Sequence, residues 1–87
     1  MAFIVAIHNV FDPDRFWAAT ADTSKLPSDV TLHSTYPQAD GSKAVCLWEA
    51  TSVDRLREIV DAVTADMSRN EFFEVDPKHS GTRGLPA

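Results

Sequence analysis

Residues 43–67 read KAVCLWEATSVDRLREIVDAVTADM, a strand-like run passing directly into a helical one. From Lys43 to Ala50 the chain is rich in β-favouring side chains and free of Gly and Pro. Thr51, with Asp54 three residues later, resembles a capping box that uses Asp in place of the usual Glu. Val53, Leu56, Val60, Val63 and Met67 then recur at helical spacing. A strand followed at once by an amphipathic helix must be placed beside at least one more strand, so the reading extends outward in both directions.

Upstream, Pro37-Gln38-Ala39-Asp40-Gly41-Ser42 supplies turn chemistry between Lys43–Ala50 and an earlier strand over about Asp29 to Tyr36. That pair is a hairpin. Further back, Phe3 to Val10 predicts the first strand, and Asp12-Pro13 predicts a capped helix from about Pro13 to Asp22. Downstream, Asn70 is expected to cap the second helix in the left-handed conformation, and Glu71 to Val75 forms the last strand before Asp76-Pro77. The order is β-α-β-β-α-β. Residues 1–77 form one domain, and residues 78–87 read as an irregular tail.

The sequence has 87 residues, which fits a single domain. Hydrophobic residues make up 44%, so a disordered chain is not expected. Thirteen acidic against eight basic residues give a formal charge of −5, which repels a phosphate backbone and argues against nucleic acid as a partner. Cys46 is the single cysteine, so no internal disulfide forms and a reducing cytoplasm is the natural location. The apolar run Ala2 to Ile7 is too short for a signal peptide or a membrane span.

Alternation splits each strand into two sets, and the more apolar set is expected beneath the helices. That assigns Phe3, Val5, Ile7, Val30, Leu32, Val45, Leu47, Phe73 and Val75 to the core. The opposite, open face then collects Ile4, Ala6, His8, Thr31, His33, Thr35, Ala44, Cys46, Trp48, Phe72 and Glu74. With Ile4, Trp48 and Phe72 on it, this face is too apolar for water, and a second copy of the chain is the economical cover.

The strand order resembles ferredoxin-like domains. The segment Gly41 to Ala50, the capped helix and Glu71-Phe72-Phe73-Glu74-Val75 are similar to small bacterial members of the dimeric α/β-barrel superfamily, over about residues 2–76. The resemblance implies an α+β fold, a four-stranded antiparallel sheet with two helices on one face, and a homodimer. Members of that superfamily include cofactor-free monooxygenases, haem enzymes, isomerases, decarboxylases, polyketide cyclases and a nickel-binding branch.

On the open face His8 and His33 are the candidate acid/base groups, around a pocket walled by Thr31, Thr35, Cys46, Trp48, Phe72 and Glu74. The pocket is expected to hold a small, partly apolar molecule without a cofactor. Two alternatives stand beside this reading. His8, His33, Cys46 and Glu74 are ligand types suited to nickel or zinc, although no compact metal motif joins them. Both histidines also fit hydrogen-bonded positions in a purely structural dimer. Haem finds no basic cluster for its propionates.

Cys46, in mid-strand, lacks the cation or helix N-terminus that would activate a nucleophile. Glu49 is expected on the helix side, and Tyr36 reaches solvent at the rim. Phe16 and Trp17 are adjacent, which places one of them at a pocket mouth or between subunits. The tail residues Arg83 and Leu85-Pro86 are candidates to fold back over that mouth, while His79 lies outside the sheet.

Overall fold

In the computed structural model, which describes residues 1–78, the first strand β1 spans Ala2–Val10 and is followed by helix α1, Pro13–Thr20. Asp12 caps α1 by accepting from the Arg15 backbone N–H, and Pro13 occupies the first turn, where no intrahelical donor is needed. A short 3-10 turn at Thr23–Lys25 leads to β2, Thr31–Pro37. Strand β3, Lys43–Ala50, helix α2, Val53–Thr64, and β4, Ser68–Glu74, complete the chain.

The α+β fold has one antiparallel sheet in the order β2-β3-β1-β4, with both helices on the same side. This arrangement is compatible with a ferredoxin-like fold. The β2–β3 hairpin closes through Gly41, whose N–H donates to the Gln38 carbonyl and whose φ of +77° only glycine adopts without strain. The Gly41 carbonyl in turn accepts from Nε1 of Trp17 at 3.2 Å, tying the turn to α1. No helix among the described residues is long and apolar enough to cross a membrane.

Three local expectations are corrected. The side chain capping α2 is Ser52, which accepts from the Arg55 N–H, rather than Thr51. Asn70 is not a helix cap, because α2 ends at Thr64 and β4 starts at Ser68, placing Asn70 opposite His8. Strand β2 carries an irregularity between Leu32 and Ser34: Leu32 pairs with Trp48 and Ser34 with Leu47. His33 therefore lacks the cross-strand position facing Cys46 or Trp48, and the extra residue separates Thr35 from Thr31 and His33.

The largest correction concerns the faces. Ile4, Ala6, His8, Ala44, Cys46, Trp48 and Ala50 are buried beneath the helices, in a core completed by Leu56 and Val60 of α2 and Phe16 of α1. Phe3, Val5, Ile7, Val45, Leu47 and Phe73 occupy the open face, with Phe3, Val45 and Phe73 at 40%, 38% and 50% exposure. Only Val30 and Leu32 of the expected core set pack on the helix side. The covered side uses short residues because two helices approach it and a cavity lies between them. Small side chains at Ala6, Ala44, Cys46 and Ala50 make that side less hydrophobic in sequence than the open one. Glu49 follows its neighbours onto the open face, where it pairs with His33. The expected folding back of residues 79–87 lies outside the described residues.

Candidate functional site

A cavity of about 480 Å³ lies between the sheet and both helices. Its floor is His8 from β1, Leu32 and Thr35 from β2, and Cys46 and Trp48 from β3. Phe16 and Trp17 of α1 cover one side, and Ile59, Val60 and Val63 of α2 cover the other. Residues 19–23 and 25–27, including Lys25 and Leu26, complete the wall together with Thr64. Phe16 and Trp17 both contribute, meeting edge to face with ring centres 4.9 Å apart. The adjacent pair is thus accommodated within one wall. A cavity with apolar walls and few polar groups is the common form of a small-molecule site.

His8 is the most informatively placed residue in it. At 2% exposure, its Nδ1 lies 2.7 Å from Oδ1 of Asn70. The amide nitrogen of Asn70 donates to the Asp61 carboxylate at 2.9 Å and to the Thr64 hydroxyl at 2.8 Å, and Oδ1 also accepts from Ser68 at 2.8 Å. A carboxylate only accepts, so Asn70 must turn its NH₂ toward Asp61 and its oxygen toward His8. That network assigns the imidazole proton to Nδ1. Nε2 is left as an unprotonated acceptor without a partner among the described residues, on a ring that lines the cavity. Burial lowers the pKa of His8 below 6.5, while the Asn70 bond and the Asp61 charge pull more weakly the other way. The imidazole is neutral at pH 7.

The other polar side chains are mostly committed. Cys46 donates to the Thr35 hydroxyl at 3.6 Å, and burial pushes its thiol above 9.0, so it is neither a thiolate nucleophile nor a ready metal ligand. Thr64 donates to the Val60 carbonyl and Thr20 to the Phe16 carbonyl. Among the described residues, Nε1 of Trp48 is the one side-chain nitrogen or oxygen that is both sealed from solvent and without a partner.

Of the eight residues singled out in sequence, the structure brings His8, Thr35, Cys46 and Trp48 together. The other four lie elsewhere. His33 sits on the open face, 2.9 Å from Glu49 and with its ring 5.6 Å from that of Phe3. Thr31, opposite Glu49, is exposed. Phe72 packs at the flank of α2 under the Arg57 guanidinium, 5.5 Å away. Glu74 is exposed opposite Ile4, four positions along β1 from His8, or about 13 Å at strand spacing. The four donors proposed for a metal are therefore divided between two faces and two ends of the sheet. Among the described residues, no group of three or more His, Cys, Asp or Glu is placed to hold a metal ion.

Sequence reasoning missed Asn70 and Thr64. Extending β4 back to Ser68 places Asn70 directly across from a histidine on β1, which is the signal that identifies it. The chain matches no family model, no curated protein and no solved structure. The site has to be read from its own atoms.

Proposed function

We propose that this protein binds a small, mostly apolar molecule in the cavity between sheet and helices and exchanges a proton with it through Nε2 of His8. The observation that carries this reading is the fixed imidazole: Asn70 holds Nδ1–H, leaving a basic nitrogen on the wall of an otherwise apolar cavity. A neutral imidazole in a dry site is suited to removing a weakly acidic proton near neutral pH. Proton abstraction followed by reprotonation elsewhere on the same molecule is the simplest reaction of this arrangement, and it belongs with isomerase or cyclase chemistry. The test is deuterium uptake from D₂O at C1 of 2-naphthol, a compact enol whose hydroxyl proton passes to Nε2 of His8 while the ring carbon takes up deuterium through the keto tautomer. Catalysed exchange that His8→Ala abolishes supports the reading; exchange equal in both proteins overturns the catalytic part of it.

The same proposal places the chain among ferredoxin-like, dimeric α/β-barrel proteins, with a second copy on the open face. Support comes from the exposed Phe3, Val45 and Phe73 together with the partly exposed Val5, Ile7 and Leu47. A second copy offers a sheet of equal size and twist, and two such faces pack about 10 Å apart. Native mass spectrometry at micromolar concentration reads the assembly directly. A dimer is expected, and a monomer overturns this part of the proposal.

A further inference from the structure

The cavity's polar side chains specify more than the presence of a ligand. Counting from the interior outward, Nδ1–H of His8 is held by Asn70, the Thr64 hydroxyl by the Val60 carbonyl, and the Cys46 thiol by Thr35. The Trp17 N–H is held by Gly41. Nε1 of Trp48 is unpartnered but sealed off from solvent. On the floor, what remains for a ligand is one acceptor, Nε2 of His8, and the uncommitted hydrogen of the Thr35 hydroxyl; Asp22, Thr23 and Lys25 are exposed on the wall between α1 and β2.

Charge is distributed just as unevenly. Among the described residues, Lys25 is the one cationic side chain on the wall, and it is exposed in the segment between α1 and β2. An anion carried down to His8 would lose its water, meet a lone pair at Nε2 and find no counter-charge. A ligand with only acceptor atoms would set its lone pairs against the same nitrogen. A neutral hydroxyl or N–H, by contrast, completes the one open valence of the floor.

We infer that the cavity selects uncharged hydrogen-bond donors: compact apolar molecules with a hydroxyl or N–H group that is delivered to Nε2 of His8. This deepens the proposed function and rests on its reading of the cavity as a ligand site. The lowered basicity of His8 reinforces the selection, because the ring stays an acceptor at neutral pH. A site with a buried acceptor discriminates against a molecule lacking the matching donor, since the acceptor is then left desolvated and unpaired.

The experiment compares 2-naphthol, 2-methoxynaphthalene and 2-naphthoate at pH 7 by calorimetric or NMR titration. These share one aromatic body and present respectively a neutral donor, the same oxygen without its hydrogen, and an anion. The expected result is 2-naphthol binding at least about tenfold more tightly than either of the others. In His8→Phe the advantage over 2-methoxynaphthalene disappears while that compound binds as before. Because this variant replaces a buried group, ¹⁵N spectra of the wild-type protein provide an independent reading. The Nε2 resonance of His8 shifts on adding 2-naphthol and not on adding 2-methoxynaphthalene. Equal binding of all three compounds, or preference for 2-naphthoate, overturns the donor rule and leaves the cavity reading standing. No binding of any compound up to about 1 mM, the weak end of fragment affinity, removes both.

Discussion

The two faces of the sheet are built from the same alternating strands, yet one is composed of small residues and the other of large ones. Beneath the helices stand Ala6, Ala44, Cys46 and Ala50 between Ile4, His8 and Trp48; outside stand Phe3, Val5, Ile7, Val45, Leu47 and Phe73. The face that is buried within one chain is therefore the less hydrophobic of the two. Short side chains under a helical layer leave room, and here the room is a cavity with one basic nitrogen on its wall. Large side chains on a face that no described residue covers are what the proposed second copy would remove from water. Hydrophobicity marks how much a surface must be covered, and size marks how closely its cover approaches.

The sharpest way to break this contrast is to truncate one residue on each face. Ile4 is completely buried, so Ile4→Ala should cost about 2–4 kcal/mol in urea unfolding. Val45→Ala, measured at a concentration where sedimentation shows a monomer, should cost less than about 1 kcal/mol. Equal losses would mean that both faces are covered within one chain. Next in size, Phe73→Glu places a charge on the open side of the edge strand β4 and should weaken the proposed self-association by about tenfold or more in sedimentation velocity, with the circular dichroism spectrum unchanged. Unaltered association would move the interface elsewhere.

Much of the fold was legible because it rests on local signals. Asp12-Pro13 opens α1, Asp40-Gly41 turns the hairpin, and the spacing of Leu56 and Val60 marks the face α2 buries. The faces were misread for a physical reason: assigning the more apolar set to the core suits a sheet with one wet side. It fails where the second side is apolar as well. His8, Thr35, Cys46 and Trp48 were nevertheless selected together, because parity groups residues correctly even when the side is inverted. His33 was grouped with them because strict alternation cannot see the irregularity between Leu32 and Ser34. Asn70 was lost with the boundary of β4, since Ser68 and Arg69 carry no apolar alternation to mark a strand.

A subtler consequence of burying His8 on the covered face is an acid-sensitive step in stability. The unfolded chain takes up this proton near 6.5, whereas the buried ring resists it, so protonation favours unfolding. Stability contributed by the neutral ring is complete above 6.5 and declines as pH falls from 6.5 toward the lowered folded value. Asp22, Asp29 and Asp40 act in a separate window. Hydrogen bonds from Ser24, Arg55 and Ser42 respectively hold their carboxyls below 3.8, and their contribution is lost as pH falls through that lower range. Urea midpoints between pH 8 and 4 should show the first decline in wild-type protein and a smaller one in His8→Phe. Identical profiles would mean that the ring is solvated and that the covered face is not dry.

The smallest expected effect is the one that separates the faces most cleanly. His33 and His8 have the same chemistry, but His33 stands beside Phe3 on the open side and is hydrogen-bonded to Glu49. Replacing it removes a partly exposed pair, an interaction that contributes about 0–1 kcal/mol in typical proteins. The sheet itself stands between this ring and the cavity, where Trp48 and Leu32 form the nearer layer. His33→Ala should therefore leave the affinity for 2-naphthol within about twofold of wild type, less than the loss of one ordinary hydrogen bond. A larger change would show that the open face communicates with the cavity through the β2 irregularity, and the two sides of the sheet would then have to be treated as one site.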